Sequence, residues 1–172
     1  MKNWCAGAAL ACLAAFLPDA AAAQLVGRDD AAHFSLGVGY FDAFQRDDAA
    51  VEARAELRSN WHLLGFLDPF IGGSVTTDGG VYGFFGFKTD LYLGDRFVVT
   101  PSAAVGAYGR GSGKDLGSTL EFRTGAEFAW RFEDRSRLGV AIHHISNASI
   151  GDINPGTEIV AIVYSIPIDF LR

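Results

Sequence analysis

Apolar and polar residues alternate along most of this chain with a period of two. That is the period of a β-strand, whose successive side chains point to opposite faces. The clearest case is 50–60, where Val51, Ala53, Ala55 and Leu57 face one way and Glu52, Arg54, Glu56 and Arg58 the other. A helix would scatter those charges around its axis, whereas a strand collects them. Segment 34–44 sets Phe34, Leu36, Val38 and Tyr40 against Ser35, Gly37 and Gly39. Segment 117–131 sets Leu120, Phe122, Thr124, Ala126, Phe128 and Trp130 against Glu121, Arg123 and Glu127. The last segment, 157–170, carries a sustained apolar row of Val160, Ile162, Tyr164, Ile166, Ile168 and Phe170. Segments 63–77, 81–93, 97–109 and 137–147 complete a set of eight predicted strands, with 63–77 the weakest because Asp68-Pro69 and Gly72-Gly73 interrupt it. Turn signals such as Asp78-Gly79-Gly80 and Gly94-Asp95-Arg96 separate them. Pro101 lies inside the fifth segment and has no N–H for the ladder, which predicts a bulge or a locally unpaired site.

Composition narrows the class. Lys2, the apolar run 6–17 and Ala21-Ala22-Ala23 read as a signal peptide over 1–23, leaving 24–172 as a single domain. Both cysteines, Cys5 and Cys12, fall in the leader, so the exported part would contain no disulfide. The net charge of −6, with no basic run, argues against a nucleic-acid partner. No P-loop or dinucleotide fingerprint is present, and His33, His62, His143 and His144 do not form a zinc spacing, so no cofactor or metal is expected. Export, 21 glycines, 14 phenylalanines and strands of transmembrane length predict an all-β, eight-stranded antiparallel transmembrane barrel in the cell outer membrane. The charged rows would then line the lumen. A soluble lipocalin-like barrel fits the same alternation inside out.

The candidate chemistry sits in 141–158. His144 and Ser146 are two residues apart on one strand face, and Asn154-Pro155-Gly156 marks a hairpin loop. Pairing residues whose numbers sum to about 302 sets His144 opposite Glu158. Ser, His and a carboxylate on one face is the composition of an acyl-transfer triad, with Asn147 and backbone N–H groups such as that of Ala148 as candidate oxyanion donors. The same parity puts the three on the row of Val140, Ile142 and Val160, the lipid side of a membrane barrel. A site acting on lipid ester bonds explains this placement, and so does a water-facing polar rim. His143 points the other way, into the lumen. His33 and His62 lie near strand ends and read as solvated. Lys88, Arg110 and Lys114 are candidate contacts for lipid phosphates, or simple surface charge.

The stretch His144-Ile145-Ser146-Asn147-Ala148, with Asn154-Pro155-Gly156 and Glu158, resembles the outer-membrane lipid A 3-O-deacylases. The resemblance implies an eight-stranded barrel that removes the ester-linked 3-hydroxyacyl chain at position 3 of lipid A. It further implies His144 as catalytic base, Ser146 as nucleophile, Glu158 as the orienting acid and Asn147 at the oxyanion site. Expected partners are lipid A of lipopolysaccharide and outer-membrane lipid, with a homodimer left open. The competing functions are a non-enzymatic structural or adhesion barrel and a soluble lipid-binding barrel. Membrane fractionation separates the last from the others.

Overall fold

The computed structural model describes residues 31–168. The expected signal segment 1–23 and Phe170 lie outside them. Nine strands form: β1 (Ala32–Phe41), β2 (Ala50–Arg58), β3 (Asp68–Thr76), β4 (Val81–Lys88), β5 (Leu91–Leu93), β6 (Phe97–Gly109), β7 (Leu120–Arg131), β8 (Arg137–Ser146) and β9 (Thr157–Ile168). They make one antiparallel sheet in the order β4-β3-β2-β1-β9-β8-β7-β6-β5, and β4 also pairs with β6. The sheet therefore closes on itself. β4 and β5 occupy one position in the wall, both against β6, so the closed barrel has eight staves. Closure satisfies every edge, as a sheet crossing hydrocarbon requires.

The break between β4 and β5 has a simple cause. Lys88 pairs with Ser102 and Leu91 with Val99, so the register is unchanged across the gap. Pro101 stands opposite Thr89 and can only accept, which it does from the Thr89 N–H at 3.1 Å. Pro101 thus gives the locally unpaired site, without a bulge. The third strand starts at Asp68 rather than at residue 63, because Leu63 and Leu67 pair with each other in a tight turn.

The alternation resolves as expected for a membrane barrel. Leu36, Val38, Val51, Phe85, Phe128, Ile142 and Ile162 are exposed on the outside, whereas Glu52, Arg54, Glu56, Arg58, Glu121, Arg123 and Glu127 are buried in the lumen. Buried charges are tolerable only when paired. Glu56 accepts from Lys88 and, at 2.8 Å, from Arg123, whose guanidinium lies 3.9 Å from the Phe84 ring centre. Toward one end, Asp90 accepts from Arg58 and Arg137, each at 2.7 Å, and from Thr100. Toward the other, Phe41 stacks on Tyr108 and Tyr82 packs on Phe84. The lumen is filled, as barrels of this size usually are.

Three sequence expectations change. Lys88 is buried against Glu56 and Lys114 against Asp42, so neither is free to meet a lipid phosphate. Long side chains can turn inward when a lumen or loop carboxylate waits for them. His33 is buried rather than solvated, facing Arg58 and the Arg135 carbonyl. His62 is half-buried and bonded to Asp68 at 2.6 Å.

Candidate active site

The site forms at the end of the barrel where β8 leads into β9. The ladder pairs His144 with Glu158 and stops at Ile145–Thr157. His144 points outward on the same row as Leu138, Val140 and Ile142. Its Nδ1 lies 3.2 Å from Glu158 Oε1. An ionised carboxylate only accepts, so a neutral imidazole in this contact is the tautomer with its proton on Nδ1 and a lone pair on Nε2. The side chains are 48% and 23% exposed. A pair so open to solvent adds little stability. The contact fixes which edge of the ring faces Glu158.

Ser146 is the last residue of β8, opposite Phe122 of β7 and beyond the end of the β9 ladder. It shares the face of His144 and is half-buried. Among the described residues no Ser146–His144 hydrogen bond is formed. Catalytic hydrogen bonds in unliganded enzymes are often long and tighten only around substrate.

The loop after Ser146 is built on Asn147, which is fully buried. Its Nδ2 donates to the carbonyls of Leu116 and Ile153, both at 2.8 Å, and its Oδ1 accepts from the Ser149 N–H. Its own N–H donates to Asn154 Oδ1. Both amide hydrogens are thus committed to backbone carbonyls, and the side chain braces the loop instead of facing outward beside Ser146. Ala148 and Ser149 follow with φ of 53° and 63°. Non-glycine residues rarely adopt this left-handed region, and such strain clusters at functional sites. The Ala148 N–H has no hydrogen-bond partner among the described residues.

A second brace holds Glu158 from behind. The Ala43 N–H donates to the Glu158 carbonyl at 2.9 Å. Adjacent Asp42, fully buried, accepts from Lys114 Nζ at 2.5 Å, from Thr157 Oγ1 at 3.3 Å and from the Asp48 N–H at 3.1 Å. Burial alone would raise the Asp42 carboxyl. The bonds from Lys114 and the Asp48 N–H, with the Lys114 charge, outweigh burial and hold it below the usual carboxylate range. Gly156, at φ 65°, completes the loop. Asp42 and Thr157 carry no sequence signal for this role. Gly156 is legible only as the glycine of the Asn-Pro-Gly turn.

Among the described residues no three His, Cys, Asp or Glu side chains gather as metal ligands. Arg110 remains exposed and pairs with Asp115 at 2.9 Å.

Comparison with known proteins agrees with this fold. The crystal structure of the outer membrane enzyme PagL superposes with a TM-score of 0.65 at 22% identity, covering 79% of this chain and 99% of that one. A de novo designed transmembrane β-barrel superposes at 0.57 and 12% identity, covering 83% and 99%. No curated protein sequence matches the chain. The closed fold and its apolar outer face place the protein in the outer membrane. The family model described as Lipid A 3-O-deacylase (PagL) matches residues 49–167, more than half of the chain. The protein therefore belongs to the PagL lipid A 3-O-deacylase family, a family of outer-membrane hydrolases.

Proposed function

We propose that this protein hydrolyses the ester that links a 3-hydroxyacyl chain to position 3 of lipid A, with Ser146 as nucleophile, His144 as base and Glu158 as orienting acid. The observation that carries the reading is the His144–Glu158 pair at 3.2 Å on the lipid-facing side of the rim, with Ser146 next on the same face. Polar groups there face the ester linkages of a lipid, not the lumen. The two longest connections, 110–119 and 147–156, lie at this end, and in outer-membrane barrels the long loops are external. The site then meets the outer leaflet, where lipid A resides.

His144 Nε2 takes the Ser146 proton as Oγ attacks the ester carbonyl. The tetrahedral oxyanion accepts a hydrogen bond from the free Ala148 N–H, and Asn147 contributes by fixing the loop that presents this donor. Collapse breaks the bond to the sugar oxygen, which receives the proton from His144. Water, deprotonated by His144, then attacks the acyl-enzyme carbonyl; the acyl–Oγ bond breaks, His144 returns the proton to Ser146 Oγ, and the 3-hydroxy fatty acid is released. Glu158 stabilises the imidazolium in both steps. Residues 1–23 serve in this reading as the export signal.

Mass spectrometry of lipid A from cells expressing the protein tests the proposal. Loss of one 3-hydroxyacyl group, absent with Ser146→Ala, is the expected result. Unchanged lipid A alongside a correctly folded barrel would overturn it.

A further inference from the structure

At the end of the barrel away from His144, the connection 59–67 is unlike its neighbours. It contains no Asp, Glu, Lys or Arg, whereas 94–96 and 132–136 are charged turns. Leu63 and Leu67 exchange both backbone hydrogen bonds, at 2.8 and 2.9 Å, which closes a tight tip. Leu64 sits at that tip with φ of 54°, a strained conformation for leucine, and is 83% exposed. Leu63, Phe66 and Trp61 are exposed beside it, Trp61 at 68%. In water such a tip is unfavourable because its apolar side chains are exposed.

The turn is also sided. His62 bonds inward to Asp68 at the lumen end. Trp61 turns outward and, with Leu57, Pro69, Ile71, Phe85 and Phe87, lines an apolar groove of about 380 Å³. Leu57, Ile71, Phe85 and Phe87 belong to the exposed outer row that meets the bilayer. The groove is therefore a continuation of the membrane-facing wall, carried past the strand ends by the turn.

We infer that the 59–67 turn is a bilayer anchor whose apolar tip and Trp61-covered groove take up phospholipid acyl chains at the end of the barrel opposite His144. Phospholipid fits because the tip bears no charged side chain for a polar partner and runs unbroken into the lipid-contacting wall. Tryptophan is suited to this depth, where its ring is apolar and its N–H can reach the headgroup layer.

The test uses Trp61 as its own probe. With Trp4→Phe and Trp130→Phe, Trp61 is the sole tryptophan of the three in the chain. The folded protein is placed in phosphatidylcholine vesicles containing lipid brominated high on the acyl chain. Bromolipid is expected to lower Trp61 emission by about half or more, with aqueous iodide having little effect. In the same background, Leu64→Asp with Phe66→Asp should shift the emission to the red and restore much of the lost intensity, while heat-modifiable mobility persists. Quenching by iodide and not by bromolipid would put the turn in water and overturn the inference. Protection from both quenchers, with Leu64→Cys copies cross-linking to one another, would assign the turn to a second copy of the chain and overturn it as well.

Discussion

Gly156 and His144 are matched in shape: a Cβ built on Gly156 would stand 2.9 Å from His144 Cε1. Gly156 also holds φ at 65°, which an L side chain rarely adopts. Gly156→Ala is expected to push the imidazole away from Glu158 and lower turnover by about 10–10², because small misplacements of a catalytic group are costly. Barrel folding, read by heat-modifiable gel mobility, should be unchanged.

Ser146→Ala and His144→Ala should each lower fatty-acid release from purified lipid A in detergent by at least ~10³, since nucleophile and base act as a unit. Glu158→Ala should cost less, about 10–10³, because both remain. Full activity in Ser146→Ala would exclude the serine mechanism.

Asn147 separates two ways of building an oxyanion site. If it acts as the loop brace seen here, Asn147→Ala leaves the Leu116 and Ile153 carbonyls without their donor, at about 1–3 kcal/mol for each buried unsatisfied group. Turnover should then fall together with a rise in proteolysis within 147–156. A fall in turnover with protease resistance intact would instead mark a direct side-chain donor.

The Asp42–Lys114 pair should shape the acid limb of stability. The Asp42 carboxyl is held below its ordinary value in the folded protein. Its contribution is therefore fully present above the unfolded Asp value of about 3.9 and is lost as pH falls through the lower folded value. Denaturation midpoints measured across acid pH should show this loss in the parent protein. Asp42→Asn should be less stable at neutral pH, because buried Lys114 loses its carboxylate and keeps only the neutral Gln45 side chain and the new amide as acceptors, and should lose this part of the acid dependence.

Lumen charges should behave as a network. Glu56→Gln leaves Lys88 and Arg123 without their shared carboxylate, and removal of one partner from a buried ion pair costs about 3–5 kcal/mol. Cysteines at Val51 and Phe128 should by contrast react with lipid-soluble labels and leave stability nearly unchanged. Unfolding in denaturant and labelling yields read the two outcomes.

Much of the wall was legible because alternation is local. The row from Glu52 to Arg58 specifies its own face, and Pro101 announces its missing hydrogen bond. His144 and Glu158 could be paired from sequence because a single hairpin joins them, and a turn signal sets the register. The braces were hidden for the opposite reason. Asn147 reaches Leu116 across 31 positions, and Lys114 reaches Asp42 across 72. A lysine in a Gly-Ser-rich loop looks solvated until closure brings a buried aspartate beneath it. The two carbonyls that accept from Asn147 lie in other parts of the chain, so its bracing role has no local sequence signal.

The pairing of β1 with β9 has a consequence for timing. Ser35 meets Ser165 across 130 positions, so this seam joins the first and last strands made. Such distant contacts form late, after the loop entropy of the whole chain has been overcome. The Ala43–Glu158 and Asp42–Thr157 bonds sit at the upper end of that seam. A chain still in transit can form the β8–β9 hairpin, but not the backing that fixes Glu158. The backing of the His144–Glu158 pair is thus tied to completion of the cylinder, and a barrel left open at this seam would hold the pair without its support.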